Sequence, residues 1–314
     1  MRDGVEGERF SVGAREDRLV WILGSSRSGN TWLLRMLAEL PGAVPIDDPH
    51  LGHHLGVWRP IPLAWAAAAG EPTLTTLDEV KRESESYFFS ERYRDAWEPA
   101  LRELVVARFD AQVAAKAAEG PGDAEPLVIV KEPGSHVAGL LLELFPRSRL
   151  IFLIRDGRDV VDSWMDAHRP GSWALDEGAF TVAPEGREAL VRWLSAVWAY
   201  RMEAVERAYR VHPPSRRASV RYEDLLADPV GELERICAHL KLAASGSQLE
   251  RIARAHEYER VPAGERGALK EIRAAAPGGW RRNLGPSEQR AMHEVMGRKL
   301  AELGYLGAPA SRAA

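Results

Sequence analysis

The sequence predicts an α/β fold, a single domain built on a central parallel β-sheet flanked by helices, and three observations carry that prediction. Short apolar runs, LVWIL (19–23), LVIVK (127–131) and RLIFLI (149–154), read as strands buried on both faces. Stretches with helical spacing follow each run, and strands alternating with helices argue for a parallel sheet covered on both sides. Composition agrees: of 314 residues, 45% are hydrophobic and 28% charged, enough apolar material for a core and too much for a disordered chain.

Taken in order, a polar tail is expected over 1–17 and one domain over 18–306, with a second flexible tail at 307–314. The run at 19–23 ends at Gly24, and TWLLRMLAEL then continues with helical spacing as far as Pro41. Residues 41–73, rich in Pro, Gly and His, predict a long irregular excursion, and such excursions are often functional. Helices are expected at 91–118, 136–145 and 187–210, and a further strand in RASVRYEDL, giving four or five strands in all. The remainder reads as helical, interrupted near AAAPGGW at 274–280.

Several function classes are disfavoured at once. A net charge of −4 advertises neither nucleic acid nor an anionic membrane, so any anion must be held by a local cluster. The one cysteine, Cys237, builds neither a disulfide framework nor a cysteine metal site and reads as a core position. The N-terminus lacks the apolar core of a signal peptide, and no run nears the ~18 apolar residues of a membrane span. A cytoplasmic protein is expected; its oligomeric state is not set by the sequence.

The segment GSSRSGNT lies between a strand and a helix, which points several backbone N–H groups and a helix N-terminus at one spot, an anion site. Gly24 and Gly29 have Walker A spacing, but Asn30 stands where that loop needs lysine. A nucleotide kinase or NTPase would be crippled by the loss. A loop holding one 5′-phosphate and its sulfate can work with Arg27 and backbone donors, without magnesium. SSRSGNTWL resembles the 5′-phosphosulfate loop of the sulfotransferases that use 3′-phosphoadenosine 5′-phosphosulfate (PAPS) and release 3′,5′-phosphorylated adenosine (PAP). The resemblance implies a P-loop-like fold, places Arg27, Ser28, Gly29, Asn30 and Thr31 on the phosphosulfate, and sets Trp32 on the adenine.

RLIFLIRDGRDVVDS resembles the same family's 3′-phosphate signature, in which a strand ends in Arg and a Ser follows eight residues later; these are Arg155 and Ser163. VRYEDLLADP resembles the segment whose tyrosine, here Tyr222, lies near the adenine. IRAAAPGGWRRNL resembles the glycine–tryptophan–basic segment, implying Arg273 on the 3′-phosphate with help from Arg281 or Arg282, although Ala274-Ala275 stand where many members have Lys-Gly. The resemblance spans about 19–285.

Sulfuryl transfer needs a cation at the leaving oxygen and a base for the acceptor. The resemblance assigns the cation to Lys131. The histidine that one branch of the family places two residues later is Pro133 here, so the base falls among Asp48, His50 and Glu132. Asp48 comes first, from the branch with a carboxylate about twenty residues past the loop. Burial would have to raise a carboxylate base, whereas a histidine needs no such help. Asp47, Asp48, His50, His53 and His54 also offer metal-ligand chemistry, but no paired-histidine helix motif accompanies them and no metal is expected. Trp58, Trp65 and Trp173 are candidates to line an apolar pocket for a small-molecule or carrier-bound hydroxyl or phenol acceptor. It would enter between 41–75 and the Trp-rich stretch 164–193. A non-catalytic PAPS- or PAP-binding protein is the second alternative.

Overall fold

The computed structural model describes residues 10–59, 74–119 and 124–306. Strand β1 (Leu19–Gly24) leads through the Gly/Ser loop into α1 (Asn30–Leu37), followed by β2 (Ala43–Asp47) and the short α2 (Leu51–Leu55). A two-residue ladder, β3 (Trp58–Arg59) with β4 (Thr75–Thr76), precedes α3 (Leu77–Lys81) and the long α4 (Arg94–Ala118). Then come β5 (Leu127–Lys131), α5 (Ala138–Leu144), β6 (Arg149–Ile154), α6 (Gly157–Ala167) and α7 (Arg187–Val211). The chain finishes with β7 (Arg217–Arg221), α8 (Tyr222–Ala227), α9 (Pro229–Leu240), α10 (Gly246–Ala255), α11 (Trp280–Asn283) and α12 (Pro286–Glu302).

Five strands form one parallel sheet in the order β2-β5-β1-β6-β7. Their side chains alternate between two cores. Leu19, Trp21 and Leu23 of β1 face the layer of α4, α5, α6, α7 and α12, whereas Val20 and Ile22 face α1, α9 and α10. Burial on both faces explains why the central strands read as unbroken apolar runs rather than alternating ones. Sequence order reverses its direction of travel across the sheet at β1, so the carboxyl end of β1 is the switch point where open α/β sheets place ligands.

Three expectations need correction. The 41–73 segment is not irregular throughout: its first residues form β2, an edge strand hydrogen-bonded to β5. Pro45 weakened the strand signal, but an edge strand tolerates a residue that cannot donate. The C-terminal part is less helical than expected, because between Ala255 and Trp280 only a single 3-10 turn at Tyr258–Arg260 interrupts irregular chain. Finally, residues 10–17 are packed down rather than forming part of a free tail. Val12 is buried, Ser11 Oγ donates to Asp110 at 2.8 Å, and Val12 N–H donates to the same carboxylate at 2.7 Å.

Candidate active site

A cavity of about 570 Å³ opens at the carboxyl end of the sheet. Its floor is the loop between β1 and α1. Gly29 caps α1 with φ of 94°, and a Cβ there would lie 2.7 Å from the ring of Tyr222, so only glycine serves. Asn30, the first helical residue, turns its amide back to Ser25 O at 3.0 Å and stitches the loop shut. The side chain at the Walker lysine position thus braces the loop instead of reaching for phosphate. Ser28 Oγ and Asn30 Oδ1 are buried without a hydrogen-bond partner.

The second motif folds onto the first. Arg155 leaves the end of β6, its guanidinium 4.1 Å from the centre of the Tyr222 ring and one N–H donated to Arg27 O at 2.7 Å. Arg27 donates Nε–H to Ser163 Oγ at 3.1 Å, reaches Glu271 O at 2.6 Å and lies 5.0 Å from the Trp173 ring centre. Arg273 faces the same cavity, ion-paired with Asp162. Burial pulls the Arg27 guanidinium down to about 10; Glu271 opposes that, and Arg155 and Arg273 push the same way. It stays charged at neutral pH, and of the three guanidinium groups on this cavity wall only Arg273 forms an ion pair among the described residues, the electrostatic pattern of an anion site. Trp32, whose indole N–H donates to His256 O at 2.9 Å, and Tyr222 pack edge to face on another part of the wall.

Beyond the loop stands Lys131, last residue of β5 and 6% exposed. Its ammonium donates to Thr31 Oγ1 at 2.9 Å and pairs with Asp48 Oδ2 at 2.7 Å and Asp47 Oδ1 at 2.6 Å. Asp48 Oδ1 is buried and has no partner. Asp48 and His50 both line the cavity and both hold left-handed backbone, φ of 48° and 57°. Strain of this kind persists only where the surroundings enforce it, and it clusters at functional sites.

Not every expected residue joins this group. Glu132 is wholly buried and does not line the cavity; its carboxylate accepts the N–H groups of Leu51 at 2.9 Å, Gly52 at 3.2 Å and Gly134 at 2.6 Å. Burial raises it above the usual carboxylate range, with those three hydrogen bonds opposing. Its geometry is that of a pin between two loops. Arg281 and Arg282 are exposed: Arg281 lies against the Trp280 ring at 4.5 Å, and Arg282 faces an adjoining depression that shares Arg273, Ala274 and Ala276 with the cavity. Both lie on the one-turn α11, and neither lines the cavity itself. Trp58 packs between His136 and Tyr200 rather than on the cavity, and Trp65 lies outside the described residues. Trp164 and Trp173 do line the cavity.

The carboxylates and imidazoles of the 47–54 segment do not converge on one point. Among the described residues the carboxylates that do so are Glu203, Glu206 and Glu302, and they surround the Lys299 ammonium. Sequence reasoning missed two contributors. Ser26 lines the cavity in the loop itself, and the irregular stretch after α10 supplies a whole wall, including Tyr258, Pro262 and Ile272. Pro262, Gly264 and Gly267 were the available signal for that wall.

The sequence model described as the sulfotransferase family matches residues 20–246. No curated protein matches the chain in sequence. Among solved structures, mouse sulfotransferase SULT7A1 complexed with PAP superposes with a TM-score of 0.54 at 12% identity, over 92% of this chain and 87% of that one. Sulfotransferase STF9 from Mycobacterium avium gives 0.49 at 16%, over 93% and 78%. The sulfotransferase domain from the curacin biosynthetic pathway gives 0.49 at 18%, over 91% and 97%. At 12% identity the likeness to the mouse protein shows the fold.

Proposed function

The chain belongs to the sulfotransferase family, and from that premise we propose that it moves a sulfuryl group from PAPS to a hydroxyl or phenol acceptor and releases PAP. A donor with phosphate at both ends of its ribose needs two anion sites on one cavity. Arg27 with the Gly29–Thr31 N–H groups, and Arg155 with Ser163 and Arg273, are placed to serve as those sites. The buried unpartnered Ser28 hydroxyl and Arg155 Nε–H are donors of the kind an anion accepts from, since such groups are otherwise paired. Trp32 and Tyr222 would flank the base. The mouse neighbour is described with PAP bound, in keeping with the same product here.

The observation that carries the reading is the Thr31–Lys131–Asp48 chain at the far end of the cavity. When bound, PAPS supplies a sulfuryl group joined through a bridging oxygen that must leave with the bond's electron pair. Lys131 holds a positive charge at the donor loop to receive that developing charge. Asp48, which steadies Lys131 through Oδ2, lines the cavity and is the group to take the acceptor's proton. Trp164 and Trp173 give the acceptor, a small molecule or a group borne on a carrier, an apolar wall. Incubation with PAPS and pooled hydroxyl acceptors, read by mass spectrometry, should yield a product heavier by one SO3. Calorimetry should show PAP binding far more tightly than ATP. Equal affinity for the two, or magnesium-dependent ATP hydrolysis, would overturn the reading; tight PAP binding with no transfer to any acceptor would favour a binding protein.

A further inference from the structure

One buried charge has no part in that scheme. Arg201 sits within α7, 6% exposed, its helix neighbours Trp198, Met202 and Val205 belonging to the core. Among the described residues it forms no ion pair. It makes a single hydrogen bond, from a terminal N–H to Ser26 Oγ at 3.2 Å, and its Nε is buried without a partner. Burial draws the guanidinium down to about 10, with the Glu132 carboxylate opposing, so the charge persists at neutral pH. An unpaired buried cation costs several kcal/mol, and natural structures keep one where something else uses the charge.

Ser26 is what the charge acts on. It lines the cavity between Arg27 and Pro133. Because its oxygen accepts from Arg201, its own O–H must point away from the guanidinium. Among the described residues the acceptor within its reach is Pro133 O at 3.5 Å, at the limit of a hydrogen bond. The hydroxyl is therefore a poorly used donor, polarised from behind by a cation, on the wall of an anion cavity that also holds Lys131. Cooperative polarisation of this sort strengthens the forward bond.

We propose that Arg201 is a positioning residue that fixes Ser26 as a hydrogen-bond donor to the sulfonate of the donor molecule. The inference deepens the PAPS reading and rests on it. A sulfonate spreads its charge over three oxygens, so a donor on the loop side complements Lys131 on the strand side. PAP lacks the sulfonate, which separates the two ligands experimentally.

The test uses Ser26→Ala, Arg201→Gln, Arg201→Lys and the Ser26→Ala/Arg201→Gln double variant. Turnover and calorimetric affinity for PAPS and PAP are measured for each. The expected result is a fall of about 10–100-fold in kcat for each of Ser26→Ala and Arg201→Gln, with PAP affinity within about 3-fold of wild type. The double variant should be no worse than the poorer single one, because one device has been broken twice. Arg201→Lys, which keeps the charge, should recover part of the loss. Multiplying effects overturn the inference. So does equal weakening of PAPS and PAP, or an Arg201→Gln protein of lowered Tm whose folded fraction turns over normally. Should Arg201→Gln fail to fold, full activity in Ser26→Ala overturns it alone. A wild-type protein that transfers nothing overturns the functional reading itself, a different outcome from active wild type with unaffected variants.

Discussion

The two ends of the cavity are held in place by different means. The anion end, Arg27 to Thr31 with Arg155 and Ser163, hangs on regular structure: β1 runs into α1, and β6 runs into α6 next to it in the sheet. Ladder hydrogen bonds and a glycine cap set its geometry. The Lys131 end has one foot on an edge strand, and its candidate base sits in a segment with left-handed φ at Asp48 and His50. What holds that segment is the buried carboxylate of Glu132, gathering N–H groups from residues 51, 52 and 134, together with a backbone approach so close that a Cβ on Gly52 would meet Gly134 O at 1.9 Å. Topology organises the first end; one side chain and two glycines organise the second. Binding and turnover should therefore respond separately to substitution.

The largest effect is expected at Asp48. Asp48→Asn keeps the shape but cannot accept the acceptor's proton, so kcat should fall by about 10²–10⁴ while PAP affinity stays near wild type. A larger loss in Glu132→Gln would move the base there, and collapse of His50→Ala with Asp48→Asn tolerated would move it to His50. At the other end, Arg155→Ala removes charge-assisted hydrogen bonds worth about 1.5–3 kcal/mol each. By calorimetry PAP should weaken by about 10–100-fold, and an analogue lacking the 3′-phosphate much less.

Glu132→Gln probes the pin. Its amide NH2 would face N–H groups, so at least one of the three hydrogen bonds is lost, at a cost of about 1–3 kcal/mol in unfolding free energy. Turnover should fall by no more than about 10-fold, with PAP binding unchanged. The smallest effect concerns His136 behind the same segment, whose Nε2 contacts Gly56 O at 2.7 Å while Nδ1 is buried without a partner. Burial first, and then the charge of Arg201, hold it down to about 3. A histidine depressed in the folded state contributes stability above its unfolded value near 6.5 that is lost as pH falls towards 3. Denaturation at pH 5 should thus show up to ~2 kcal/mol less stability than at pH 6.5, and His136→Gln should flatten that slope.

Much of this was legible before any tertiary structure. Unbroken apolar runs locate the three central strands because burial on both faces leaves no room for polar alternation. The loop from Gly24 to Thr31, Arg155 at a strand end and Ser163 two turns into the next helix follow from local rules, since each is placed by the element that carries it. Edge strand β2 was hidden by Pro45, whose tolerance depends on having no neighbour on that side. Whether Arg281 and Arg282 face the cavity was decided by the packing of Trp280, and a one-turn helix carries no periodicity from which to read a phase. Glu132 and Lys131 are adjacent in sequence, yet one points to the cavity and the other into the body of the protein, because successive residues at a strand end leave on opposite faces. Ser26 and Arg201 are 175 residues apart, and their contact exists only because α7 packs on the face of the sheet against β1 and β6. Sequence by itself settled what local periodicity and loop chemistry can settle. Which charges meet, and which are left unpaired, depended on how distant elements pack together, and only the tertiary structure decided it.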